Sequence, residues 1–220
     1  MVLGMEGYSG LSVVADRRGF IVAYPSSQGP FWNSTGSPRR PNDIRFIRSL
    51  IAYLRQSMCV DAARIYVAGV SNGGGMAALA GCELSAEISG YASVAGGYDG
   101  QPPCRPKRPE SVLEIHGTAD PVVPYFGAAH RWHVGVPQFV AGWVRRDRCH
   151  GSASVDQPAT RTTVLRWDNC ADARVEHIRI TGGRHAWPGA TPPDPGPPST
   201  ICGACAVWGF FSSLSPSGRP

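Results

Sequence analysis

The 220-residue sequence has no apolar run long enough to cross a membrane as a helix. Its first residues also lack the cationic start and following apolar stretch of a secretory signal peptide. No internal repeat is present, and no linker divides the chain. These absences exclude a membrane-spanning helix and a repeat array within these residues, and the length predicts one domain over residues 1–220.

The charge is not concentrated anywhere along the chain. The net charge is +5 and the pI about 9.0, but the basic pairs are scattered: Arg17–Arg18, Arg39–Arg40 and Arg145–Arg146. No aromatic stacking motif accompanies them, so we expect a solvated basic surface and no nucleic-acid partner. A hydrophobic content of 42% is enough for a sizeable core.

Metal-binding patterns are incomplete in this sequence. Cys202-x-x-Cys205 and His130-x-x-His133 each lack a second pair at zinc-finger spacing, so no metal site is expected. Seven cysteines are nevertheless many for a cytosolic protein of this size, and the odd number leaves at least one unpaired. Disulfides would indicate an oxidising compartment, which conflicts with the missing signal peptide.

Apolar, β-branched runs alternate with helical patterns along the chain. Strands are predicted at residues 19–25, 65–68, 88–95, 112–116 and 175–180, and helices at residues 42–58, 72–81, 137–148 and 206–214. Asn42 or Asp43 is expected to cap the first of these helices. This alternation predicts an α/β fold with a mostly parallel sheet flanked by helices.

One glycine-rich stretch carries a serine at a predicted strand-to-helix turn. Residues 69–73, Gly-Val-Ser-Asn-Gly, fit the G-x-S-x-G nucleophile elbow, in which the serine adopts strained backbone angles. Bulky residues two positions to either side would clash, which explains a glycine at both Gly69 and Gly73. The alternative interpretation is a glycine-rich turn with an incidental serine, so the rest of the chain decides whether Ser71 is a nucleophile.

Two further strand ends carry residues that complete a catalytic triad. Asp120 follows the strand at 112–116, and His185 follows the strand at 175–180, giving the order Ser-Asp-His of the α/β-hydrolases. A histidine can activate the hydroxyl of Ser71, and a carboxylate can fix the histidine tautomer. Taken singly, Asp120 fits an Asx turn before Pro121 and His185 an ordinary loop. His116, within a strand, is interpreted as structural.

Several longer motifs together resemble one enzyme family. They are ADRRGFIVAYPS, WNS, NDIRFIRSLI, RIYVAGVSNGGGMA, SVAGG, HGTADPVVPY, GGRHAWPG and VWGFF, and they extend from about Ala15 to Phe211. The chain thereby resembles the polyhydroxybutyrate depolymerase / feruloyl and acetylxylan esterase group of α/β-hydrolases, especially its secreted actinobacterial members.

The resemblance implies an exported serine carboxylester hydrolase that works without a cofactor. It assigns Ser71 as nucleophile, Asp120 as acid and His185 as base. The implied substrates are short-chain, hydroxyalkanoate, hydroxycinnamoyl or acetyl-polysaccharide esters. It also implies the disulfides Cys82–Cys104 and Cys149–Cys170, with Cys202–Cys205 as a third pair.

The chain departs from this family at its start. Members of the group have an upstream strand that ends in His-Gly, and its loop supplies the second oxyanion N–H; here that strand is absent. We therefore expect a chain shortened at its N-terminus, a sheet with a gap or an open edge, and the backbone N–H of Asn72 as the remaining oxyanion donor. Loss of one such donor costs about 10²–10³ in rate.

Trp187 lies two residues after His185 and is expected to overhang the mouth of the pocket, where it would bind part of the substrate. The alternative is that it only packs against the loop that follows. Two other functions remain open at this point: a non-catalytic binding domain of the α/β-hydrolase fold, and a serine peptidase on the same fold.

Overall fold

The structure is a computed structural model, and it describes residues 2–128, 134–190 and 201–214. These ranges contain six helices and six strands. The helices are α1 (Val2–Ser9), α2 (Leu11–Arg18), α3 (Asp43–Ser57), α4 (Asn72–Glu83), α5 (Val136–Arg146) and α6 (Gly203–Ser213). The strands are β1 (Tyr66–Val70), β2 (Gly90–Val94), β3 (Val112–Gly117), β4 (Ser154–Ala159), β5 (Thr162–Trp167) and β6 (Val175–Ile180). None of the described helices has the length and apolar character needed to cross a membrane.

The six strands form one sheet in the order β1-β2-β3-β6-β5-β4. The four strands β1, β2, β3 and β6 are parallel, whereas β5 pairs antiparallel with β6, and β4 with β5. The predicted α/β fold with a mostly parallel sheet is therefore confirmed. Because the carboxyl ends of parallel strands share one edge of the sheet, the loops after β1, β3 and β6 meet there.

The two faces of the sheet carry different side chains. Leu113 and Ile115 of β3 belong to the apolar cluster that includes Val207 and Phe210 of α6. The alternate residues of β3 point to the other face, where Val112 packs in the cluster that contains Trp143 of α5. Glu114 and His116 lie on that same second face, fully buried. A pair of charged side chains is thus built into the centre of the fold.

The segment at residues 19–25 is not a strand, and that prediction is wrong. The chain makes no strand pairing there, and the Phe20 ring stacks on Trp208 of α6 with 4.0 Å between centroids. β1 is at the edge of the sheet, with no described strand on its outer side. An apolar run becomes a strand only beside a hydrogen-bonding neighbour. The open edge agrees with the sequence-based expectation.

Four elements were not predicted from the sequence: the helices α1 and α2, and the hairpin formed by β4 and β5. The other predicted helices and strands are present, with ends that differ by a few residues. The side chain of Asn42 accepts a hydrogen bond from the N–H of Arg45 at 2.9 Å, so Asn42 caps α3.

Candidate active site

Ser71 occupies a sharp turn between β1 and α4. Its φ is 56° and its ψ −122°, a conformation that side-chain-bearing residues rarely adopt. Its N–H donates to the carbonyl of Val94 at 2.9 Å, which ties the turn to the end of β2. This strained conformation at a strand-to-helix turn has the geometry of a nucleophile elbow.

The two glycines of the elbow are not equivalent. A Cβ at Gly69 would lie 2.1 Å from the carbonyl oxygen of Gly73, so only glycine fits there. A Cβ at Gly73 would have no atom within 4 Å. The steric reason predicted for glycine is therefore correct at Gly69 and wrong at Gly73.

The structure brings the three predicted triad residues together. Ser71 Oγ lies 2.8 Å from His185 Nε2, and His185 Nδ1 lies 2.8 Å from Asp120 Oδ2. The His185 side chain is 19% exposed, whereas that of Asp120 is fully buried. With Nδ1 protonated and donating to Asp120, Nε2 is free to accept the hydroxyl proton of Ser71.

The carboxylate of Asp120 is held on both of its oxygens. Oδ1 accepts from the N–H groups of Val122 and Val123, both at 2.8 Å. Oδ2 lies near His185 and also 3.2 Å from Nε2 of His116. Burial alone would raise the pKa of Asp120, but the hydrogen bonds from these two histidines and from the backbone hold it well below its usual range. Asp120 is therefore ionised throughout the neutral range.

His116 is connected to a second buried carboxylate. Its Nδ1 lies 2.8 Å from Oε1 of Glu114, which also accepts from the hydroxyl of Tyr98 at 3.1 Å. Nδ1 of His177 lies 2.7 Å from the other oxygen of Glu114. The sequence analysis interpreted His116 as structural and did not include Glu114. Their alternation along β3, with Asp120 four residues after His116, is the signal that could have linked them to the site.

Asn72 is the first residue of α4, a position at which a backbone N–H has no acceptor within the helix. Its side chain holds the neighbouring loop: Oδ1 accepts from Trp32 N at 2.7 Å, and Nδ2 donates to Trp32 O and to Ser34 Oγ, both at 3.1 Å. The predicted oxyanion donor thus begins the helix directly after Ser71, and its side chain fixes the loop beside it.

Trp187 does not overhang a pocket, and the expected placement is wrong. The side chain is only 2% exposed and packs in the apolar cluster with Ala204, Val207 and Phe210 of α6. Its backbone N–H donates to the hydroxyl of Tyr8 at 3.1 Å. An indole in this position gains more from burial under α6 than it would at an open edge.

Three disulfides connect six of the seven cysteines. They are Cys82–Cys104, Cys149–Cys170 and Cys202–Cys205, as the family resemblance implied, and Cys59 is free and exposed. No cluster of three or more potential metal ligands occurs among the described residues. His130 and His133 lie outside them.

No protein-family model matches the chain. It is 34% identical over 185 residues to feruloyl esterase B of Piromyces equi. The aligned region covers 76% of this chain and 34% of that protein. It is 30% identical over 215 residues to the putative esterase NocK of Nocardia uniformis subsp. tsuyamanensis, covering 86% of this chain and 62% of that protein. The chain thus spans about one third to under two thirds of the length of these relatives.

The fold matches that of the acetyl xylan esterase from Aspergillus awamori. The TM-score is 0.67 at 14% identity, with 95% of this chain and 84% of the other covered. Sequence and fold together therefore place the chain in the feruloyl and acetylxylan esterase group of the α/β-hydrolases.

Proposed function

We propose that the protein is a serine carboxylester hydrolase that works through an acyl-enzyme on Ser71. The observation that carries this proposal is the hydrogen-bonded chain from Ser71 to His185 to Asp120, with 2.8 Å at both contacts. Serine is a weak nucleophile without an adjacent base, and this arrangement supplies the base and its orienting carboxylate. The names of the relatives support ester hydrolysis as the reaction class.

In the acylation step, Ser71 Oγ attacks the carbonyl carbon of the ester while His185 Nε2 takes the hydroxyl proton. The resulting oxyanion accepts a hydrogen bond from the N–H of Asn72 and is further stabilised by the N-terminus of α4. When the intermediate collapses, His185 returns the proton to the leaving alkoxide. An alcohol departs and the acyl group stays on Ser71.

In the deacylation step, His185 takes a proton from water, and the oxygen of that water attacks the acyl carbon. Collapse of the second intermediate returns the proton to Ser71 and releases the carboxylic acid. Asp120 keeps its charge throughout and stabilises the imidazolium that forms in both steps. No cofactor takes part in this scheme.

The proposed substrates are esters of hydroxycinnamic or acetic acid with polysaccharide hydroxyls, together with simple short-chain esters. The relatives named feruloyl esterase and acetyl xylan esterase motivate this choice. A comparison of feruloyl, acetyl and butyryl esters is the direct way to rank the acyl groups.

The decisive experiment compares the chain with a Ser71→Ala variant on 4-nitrophenyl acetate. We expect kcat to fall by about 10⁴-fold or more in the variant, since removal of a triad nucleophile costs of this order. Equal turnover by both proteins would contradict the proposal. Faster cleavage of a peptide than of the ester would favour a serine peptidase, and ligand binding without turnover a binding domain.

We also propose that the protein works in an oxidising, extracytoplasmic compartment. Disulfides are rare in the reducing cytosol, and this fold pairs six of its seven cysteines. Thiol-specific alkylation of the protein, purified under native conditions from its own host and analysed by mass spectrometry, should modify Cys59 alone. Modification of all seven cysteines would contradict this proposal.

A further inference from the structure

His116 contacts hydrogen-bond acceptors on both sides of its ring. Nδ1 lies 2.8 Å from Oε1 of Glu114, and Nε2 lies 3.2 Å from Oδ2 of Asp120 and 3.0 Å from the carbonyl of Val123. A neutral imidazole has one nitrogen lone pair, which would then face an oxygen lone pair at hydrogen-bond distance. Burial alone would raise the pKa of Glu114, but His116 and His177 lower it to about 2, so its carboxylate can only accept. Only the imidazolium then donates on both sides, which indicates a charged ring.

The cation is enclosed by other polar groups and has no access to solvent. The titratable or charged side chains that face His116 or its partner Glu114 are Glu114, Asp120, Tyr98, Tyr125, His177 and Arg179. Burial alone would lower the pKa of His116, but the charge of Glu114 and the hydrogen bonds of Glu114, Asp120 and Val123 raise it to about 10. The ring is thus positively charged at neutral pH.

We propose that His116, held as a cation by Glu114, is a positioning residue that fixes the Asp120 carboxylate and sets the proton affinity of His185. Oδ2 of Asp120 is shared between the two histidines, at 2.8 Å from His185 and 3.2 Å from His116. The carboxylate therefore cannot rotate away when Ser71 gives up its proton. This inference rests on the proposed esterase function.

The charges of the cluster determine the direction of the effect. Glu114 and His116 form a neutral pair, so the field at His185 comes mainly from Asp120. Replacing His116 by glutamine leaves the negative charge of Glu114 uncompensated and removes a cation from the neighbourhood of Asp120. Both changes favour protonated His185. Since His185 must be neutral to accept the proton of Ser71, the acid limb of kcat/KM moves to higher pH.

The experiment measures the pH profile of kcat/KM for the wild type, H116Q and the double variant E114Q/H116Q. We expect the acid limb of H116Q to shift upward by about one pH unit. That of the double variant should return part of the way, because the charge of Glu114 is removed while the cation beside Asp120 is still missing. A structural role alone would lower activity without moving the limb. An unchanged limb in H116Q, or a double variant whose limb lies as high as that of H116Q, would overturn the proposal.

Two further measurements keep the test independent of folding and of turnover. In the ¹⁵N-labelled wild type, both ring nitrogens of His116 should be protonated at pH 8, and a neutral ring would overturn the proposal. Titration of His185 by NMR should show the same upward shift in H116Q without any substrate. If the wild type hydrolysed no ester, the proposed function would fail, whereas this titration would still decide the role of His116.

Discussion

At the scale of single residues, the nucleophile elbow depends on Gly69 more than on Gly73. We expect Gly69→Ala to lower the free energy of unfolding by about 3 kcal/mol or more, because its Cβ would meet backbone atoms that cannot move aside. It should also lower kcat by displacing Ser71. Gly73→Ala is the matched control: it faces open space as the second residue of α4, and it should leave stability unchanged or raise it by up to about 1 kcal/mol. Equal losses in urea denaturation would contradict this.

A second residue-scale prediction concerns Trp187. Because its indole is buried under α6, Trp187→Ala should lower the free energy of unfolding by about 3–5 kcal/mol. It should lower kcat/KM by the same factor on acetyl, butyryl and feruloyl esters, since the side chain lines no open pocket. A loss confined to the feruloyl ester would instead restore the original expectation that Trp187 selects the substrate.

At the scale of elements, neighbouring residues at the start of α3 have different partners. Asn42 accepts from the N–H of Arg45, whereas the buried Asp43 accepts from the N–H of Asn33 in the preceding loop at 2.6 Å. We expect Asn42→Ala to cost about 1 kcal/mol of stability, measured by thermal unfolding, and Asn42→Ser to retain most of it. If Asn42→Ala had no effect, the cap observed here would contribute nothing to stability.

The predicted elements were those whose signal is local. β3 and α5 have periodic apolar residues, and their sequence alone indicated them. The hairpin of β4 and β5 was missed because β4 is exposed and contains Pro158, and because Thr160 and Arg161 form a turn without glycine or asparagine. Conversely, residues 19–25 have a strand-like sequence, but strand formation also requires a neighbour that local sequence cannot show.

The candidate site was predictable for a related reason. The ends of parallel strands converge, so the positions of Ser71, Asp120 and His185 after three predicted strands, together with their order, were enough to group them. The contact of His116 with Asp120 could not be derived in the same way. It depends on which face of the sheet carries the side chain of His116 and on a buried charge pair, and composition and spacing do not determine either.

At the scale of the whole molecule, β3 connects two buried clusters of titratable side chains that differ in their partners. At its carboxyl end, Glu114, His116 and Asp120 hold one another in ionised form. At its amino end, Glu110 and the α5 cap residue Asp147 are both buried, and Oδ1 of Asp147 accepts from the N–H of Glu110 at 3.0 Å. Both side-chain oxygens of Glu110 and Oδ2 of Asp147 accept no hydrogen bond from any described residue. The first cluster serves the proposed chemistry, whereas the second makes the stability of the fold depend on pH.

Burial raises the pKa of Asp147 to about 7, and it raises that of Glu110 well above its usual range. A carboxyl group whose pKa is raised on folding contributes full stability below its unfolded pKa and loses it as pH rises through the folded value. For Asp147 this window runs from about pH 4 to about pH 7.

Asp147→Asn keeps the oxygen that accepts from Glu110 and removes the titration. Relative to the wild type, the variant should therefore gain a few kcal/mol of stability between pH 4 and pH 8, because each pKa unit corresponds to about 1.4 kcal/mol. Urea denaturation at both pH values measures this difference, with Asp16→Asn on the exposed surface of α2 as the control. The same stability difference at pH 4 and pH 8 would mean that folding does not raise the pKa of Asp147, and it would contradict this prediction.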